Sequence, residues 1–310
     1  MKQTRIFVLA ALLSAVVFAV GCTKCCSKKE APAKDQAPAE ATEAAPAEEA
    51  APAEEAAPAE AAPAELPAEL PAEEAAESTS TSCGSVSDTS PTAYAPVADV
   101  EAQLELYVSN MKKKADSDDA FEDKQGSIVR DANTVMALAV VLAMHDQPNK
   151  YKGAATNVIE AAEELTKAAD DAAVKAGLAK LEAAMKSTDG KSLTWATKTA
   201  KLAQLMKQVP LVDGKLKSGM RRFKKTDEMA GMATTLAVIF QVSTANVSET
   251  EEPTKSEEWV KFCLESRDAA AALAETLKVA DKKNSTTHYD KLTQCCDECH
   301  TVFHKAALSK

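Results

Sequence analysis

The stretch QCCDECHTVFHK, Gln294–Lys305, gathers three of the eight cysteines and two of the four histidines. Thiols and imidazoles at this density can hold a metal, close a disulfide or anchor a cofactor, and spacing discriminates between these chemistries. Cys296 and Cys299 have two residues between them and His300 follows at once, the attachment pattern of c-type haem. On a helix, residues three apart share a face, so both thiols can meet the two vinyl groups along one haem edge. The next residue then presents its imidazole to the iron from one side. A structural zinc needs about four converging ligands, and Cys295, Cys296, Cys299 and His300 on one helix point in different directions. A redox CxxC pair usually opens a helix of an α/β domain, and no such domain is read here. Cys295 would make a CxxxCH spacing with Cys299 and is expected to be a bystander. Cys263 either pairs with Cys295, since thiols oxidise outside the cytoplasm, or is a small buried apolar residue.

The other imidazoles carry less. His304 lies four residues after His300, on the same helical stripe, either near the haem surroundings or at the surface. His288 stands ~18 Å up the same helix from His300 at 1.5 Å per residue, too far to be a second axial ligand. His145 closes an apolar helical run and reads as a helix-end cap. No nucleophile triad, phosphate loop, dinucleotide fingerprint or second metal cluster is present, so no catalytic residue is assigned.

These residues must be positioned by helices. From Val97 onward alanine, leucine, lysine and glutamate dominate, without β-branched alternation. NVIEAAEELTKAADDAAVKAGLAKLEAAMK sets Val158, Ala161, Ala162, Leu165 and Ala168 at three-to-four spacing. The same period runs through TVMALAVVLAMH, LTWATKTAKLAQLMKQV, EMAGMATTLAVIFQV and WVKFCLESRDAAAALAETLKVA. Breaks are expected at HDQPNKYKG, STDGKS, VPLVDGK and SETEEPTKSEE, with Pro148 and Pro210 near helix ends. The expectation is an all-α fold of about eight helices. Its halves also correspond: Met111-Lys112-Lys113 lies 95 positions before Met206-Lys207-Gln208, and DANTVMALAVVL precedes DEMAGMATTLAV by about as much. This predicts two tandem four-helix bundles, 97–190 and 191–310, each of ordinary domain size. The first has LEAAMKSTDGK where the second has LTQCCDECHTVFH, so it is expected to be haem-free.

Residues 22–96 differ entirely. APAEEAAPAEEAAPAEAAPAELPAELPAEE and STSTSCGSVSDTSPT bring recurrent proline and glutamate with almost nothing to bury, which predicts a disordered acidic tether. At ~3.1 Å per residue, ~60 such residues reach well over 100 Å. The 15 acidic and 4 basic residues between Thr23 and Pro96 account for a net −11, the whole charge of the chain. The helical part is near neutral, which argues against a nucleic-acid partner. Ahead of the tether, a basic start and an apolar run from Ile6 to Val20 read as a signal peptide, residues 1–21. That run of ~15 residues is shorter than the ~20 of a membrane-spanning helix. Ala19-Val20-Gly21-Cys22 resembles the bacterial lipobox, which makes Cys22 a candidate lipidation site and membrane anchor. The expected location is the periplasm or cell envelope.

The last helix, with Cys296, Cys299, His300, Phe303 and then His304, resembles the cytochrome c′ family, four-helix bundles whose haem site lies near the C-terminus of the final helix. That family has Phe or Tyr three residues after the ligand histidine, as Phe303 stands, and usually arginine next, where this chain has His304. KLAQLMKQV resembles the family's opening helix, with Met206 at the position facing the distal side of the iron. The resemblance covers about Ser192–Lys310. It implies one haem c bound through Cys296 and Cys299, His300 as proximal iron ligand, and Phe303 and His304 in the haem surroundings. Met206 is then either a distal ligand, in an electron carrier, or a packing residue beside a five-coordinate iron that binds nitric oxide or carbon monoxide. The family also implies pairing of bundles into a homodimer. The expected partners are redox proteins; the third alternative is a structural lipoprotein carrying an incidental motif.

Overall fold

The apolar runs that look amphipathic in TVMALAVVL and MATTLAVIF have no polar face at all once folded. Every residue from Asp131 to Leu142, and almost every one from Met229 to Thr244, is buried. A helix apolar on all sides belongs at the centre of a fold, and these two organise the rest. The computed structural model describes residues 90–306, apart from Ala196. The signal segment, Cys22, Cys25, Cys26, Cys83 and the tether up to residue 89 lie outside the described residues.

Eight α-helices are present among the described residues, with no strand: α1 Val97–Ala115, α2 Phe121–Met144, α3 Ala155–Leu165, α4 Asp171–Ala184, α5 Leu202–Arg222, α6 Thr226–Ser243, α7 Ser256–Lys278 and α8 Lys282–Phe303. The all-α expectation holds. Helices α1 to α4 pack in a ring, each on the next and α4 back on α1. Helices α5 to α8 pack in series, and α5 meets α8 only sparsely. Central α2 and α6 pack on one another, with α1 against α6 and α5 against α2, so one apolar core runs continuously from Tyr94 to Leu292. The halves are therefore not two separate globules. Polar bridges cross the seam: Gln208 Nε2 donates to Tyr107 Oη at 2.8 Å, and Arg130 Nε donates to Gln208 Oε1 at 2.8 Å. At the α1–α6 contact glycine leaves room for the Gln103 side chain, because a Cβ on Gly231 would stand 2.3 Å from its amide nitrogen and force it to shift.

Several boundaries differ from the expectation. The folded chain begins before Val97, since Tyr94 and Ala95 are fully buried and the Asp146 carboxylate accepts from Thr92 Oγ1 at 2.7 Å. The long run from Asn157 splits between α3 and α4 because Asp170 caps α4, its carboxylate accepting the Ala173 N–H at 2.7 Å. The helix expected from Leu193 begins at Leu202 and passes through Pro210 to Arg222. Its start is fixed by distant acceptors: Asn133 Oδ1 takes the Lys201 N–H at 2.9 Å and the Glu249 carboxylate takes the Leu202 N–H at 3.0 Å. Its end is a left-handed pair, Phe223 and Lys225, with φ of 45° and 58°.

Candidate cofactor site

The geometry of α8 begins with Asp281, whose carboxylate caps the helix by accepting the Asn284 N–H at 3.1 Å. From there Leu292, Cys295, Cys296, Cys299 and Phe303 turn toward the body of the protein. Cys296, Cys299 and His300 line one cleft with Met206 and Val209 of α5. Phe240 and Ser243 of α6 close a second side, and Trp259, Phe262, Cys263 and Ser266 of α7 a third. Because α5 and α8 pack on α6 and α7 rather than closely on each other, the cleft opens between them. The bulky side chains leave a cavity of only about 50 Å³.

An aromatic group borders the cleft. Phe303 is buried edge-on between Trp259, with ring centroids 5.1 Å apart, and Phe262, at 6.3 Å. Trp259 Nε1 donates to the Ser243 carbonyl at 2.8 Å, fixing the first turn of α7 to the last residue of α6. Leu202 completes this small cluster, so the late start of α5 is used to place it.

Burial sets the protonation of the thiols and the imidazole. It pushes Cys296 and Cys299 up to about 12, so both stand as neutral thiols. His300 is held below the ordinary imidazole value, first by burial and then by the neighbouring His304, which leaves it neutral with a nitrogen lone pair free for a metal. The sequence-predicted residues separate here. Cys296, Cys299, His300 and Met206 come together, and Phe303 stands at their border. His304 does not line the cleft: it is the exposed C-cap of α8, its Nδ1 3.4 Å from the Glu251 carboxylate and its ring 5.9 Å from that of His300.

No disulfide joins Cys263 to Cys295; both are free and buried. Cys295 is one residue from Cys296 and so lies ~100° around the helix, away from the cleft. Cys263 instead lines the cleft, and burial raises its thiol well above the usual range. The α7 contribution was missed by reasoning from α8 alone. Its signal was the stripe Trp259, Phe262, Cys263 and Ser266, at the three-to-four spacing of one helical face. His145 is a buried α2 cap: its Nδ1 accepts the Gln147 N–H at 3.1 Å, so Nε2 carries the proton and donates to the Ala95 carbonyl at 3.0 Å.

Two neutral thiols one turn apart and an adjacent neutral imidazole have the chemistry that two thioether bonds and one iron ligand require, while the cavity of about 50 Å³ would have to widen to admit a flat macrocycle. Among the described residues no three His, Cys, Asp or Glu side chains are grouped to hold a bare metal ion. Comparison of the chain with family models, curated proteins and solved structures found no match.

Proposed function

We propose that this protein is a monohaem c-type cytochrome that carries single electrons between redox proteins outside the cytoplasm. The observation that carries this reading is the convergence of Cys296, Cys299 and His300 of α8 with Met206 of α5 on one apolar-walled cleft. Cys296 and Cys299 would hold haem c covalently, and His300 would ligate its iron. Haem c, when bound, supplies an iron that changes oxidation state by one electron. The chain's residues do the rest. Phe303, Trp259 and Phe262 exclude water from one side, and burial keeps His300 unprotonated. Unbranched Met206 is the side chain best able to swing aside for the macrocycle. A pyridine haemochrome assay, with the intact mass of the purified chain, tests the reading: attached haem is expected, and a haem-free chain would overturn it.

The alternative is a five-coordinate haem module binding nitric oxide or carbon monoxide. Its support is that Met206 packs against both apolar clusters, as a filler would. Carbon monoxide added to the reduced protein separates the two, because an open iron binds it readily and a Met206-ligated one resists. Helices α1 to α4 would form a haem-free companion bundle, and α5 to α8 the haem bundle in tandem with it. Residues 22–89 would tether both to a membrane through lipidated Cys22, in the periplasm or cell envelope, with a homodimer as the assembly. Labelling with radioactive palmitate tests the anchor.

A further inference from the structure

Ser243, the last residue of α6, lines the cleft, is 0% exposed, and its Oγ has no hydrogen-bond partner. A helical hydroxyl normally turns back on a carbonyl of the preceding turn. Thr235 Oγ1 does so, donating to the Gly231 carbonyl at 3.0 Å, and Thr244 Oγ1 donates to the Gln241 carbonyl at 2.8 Å, whereas Thr234 Oγ1, away from the cleft, shares the unpartnered state of Ser243. Ser243 does not, although its backbone is held firmly by Trp259 Nε1 at 2.8 Å. A buried hydroxyl without a partner carries a desolvation cost that a bound acceptor would remove. Around it Phe240, Val209, Phe262 and Met206 are apolar and the Cys263 thiol is a weak donor, and the other polar groups lining the cleft are the Ser266 hydroxyl and the His300 imidazole.

We propose that the Ser243 hydroxyl donates a hydrogen bond to an acceptor atom of the group taken up by the cleft. This assignment rests on the haem reading and deepens it by naming a polar contact on the α6 side. The acceptor chemistry is an oxygen or nitrogen lone pair, from either the haem periphery or a diatomic ligand on its iron.

Ser243→Ala removes one buried oxygen and tests the assignment in two backgrounds. In the haem-loaded chain the substitution is expected to lower the melting temperature by about 3 °C. In a chain kept haem-free by Cys296→Ala and Cys299→Ala, it is expected to leave the melting temperature unchanged or raise it. Infrared spectra of the reduced carbon monoxide adduct distinguish the sources. A shifted C–O stretch in the variant places the acceptor on the diatomic ligand; an unshifted stretch with the loaded-only loss of stability places it on the haem. The midpoint potential is a second measurement that needs no haem-free protein, and it is expected to move in the variant. An unshifted stretch with an unmoved potential and either equal melting changes in both backgrounds or no loaded-state loss would overturn the assignment while leaving the haem reading intact. A wild-type chain without haem overturns that reading, and this assignment with it.

Discussion

Helices α1 and α4 are the first and last of four consecutive helices, as α5 and α8 are, yet the first pair packs together and the second barely meets. Between α1 and α4 lies a wide groove of about 560 Å³, lined by Glu105, Lys112, Asp116, Glu182 and Lys186 among others. Lys112 and Glu182 pair across it, and Lys150 and Tyr151 both reach Glu105. Exposed charges of this kind are satisfied by water and by each other, and such pairs contribute little to stability. Between α5 and α8 the cavity is a tenth of that size, but its walls are apolar and hold three thiols and an imidazole. Size therefore does not mark the site. The informative features are the desolvation of Cys296, Cys299 and His300 and the sparse direct packing of α5 on α8.

The strongest way to break the comparison is at the thiols. Cys296→Ala with Cys299→Ala is expected to abolish covalent haem, read as complete loss of haem stain on a denaturing gel, whereas Lys112→Ala in the charged groove leaves the stain at wild-type intensity. His300→Ala should keep the stain, because the thioethers remain, but displace the absorption spectrum of the oxidised and reduced protein. An unaltered spectrum would remove His300 from the iron.

Stability is sensitive first at the seam between the two halves, then at the cleft and at the N-terminal clasp. Gly231→Ala is expected to cost about 1–3 kcal/mol by overpacking against Gln103, seen as a lower unfolding midpoint with the haem content unchanged. Met206→Ala, at a half-buried position, should cost about 1–2 kcal/mol. The same variant should lose the near-red charge-transfer band of the ferric protein if Met206 ligates. Retention of the wild-type spectrum would assign Met206 to packing. The smallest effect is at the Thr92–Asp146 clasp. Hydrogen bonds from Thr92 hold the Asp146 carboxyl at about 2, below its usual 3.8. A lowered carboxylate stabilises the fold above the unfolded value and loses that contribution as pH falls through the folded one. The stability gap between wild type and Asp146→Asn should therefore narrow between about pH 4 and pH 2, as followed by acid titration of helical circular dichroism.

Much of the site was legible because its parts are local. The spacing of Cys296, Cys299 and His300 and the aromatic at Phe303 are properties of one helix face. Connections at Asp146–Gly153, Ser187–Ser192 and Glu249–Lys255 were announced by proline, glycine and acidic clusters. What escaped was non-local. The VPLVDGK break did not occur, because α5 has its first N–H groups satisfied by Asn133 and Glu249 and its apolar face covered by α2 and α6. Pro210 simply lacks the N–H that would return to Met206, a loss that buried packing offsets. Cys263 was weighed as a disulfide partner of Cys295 because pairing arithmetic ignores direction. The helical rotation between Cys295 and Cys296 sends those two thiols to different neighbours.

By itself the sequence determined that the described chain is helical, that α8 carries its two spaced thiols and imidazole on one face, and that charge is concentrated in residues 22–96. Those follow from side-chain periodicity and composition, which need no partner. Only the tertiary structure decided that α2 and α6 are central, that the core is continuous across both halves, and that Met206, Ser243, Trp259 and Cys263 meet Cys296, Cys299 and His300 in one cleft. Such meetings depend on how four helices rotate and tilt against one another, and that is set by the fit of side chains distant in sequence, among them Gly231 against Gln103.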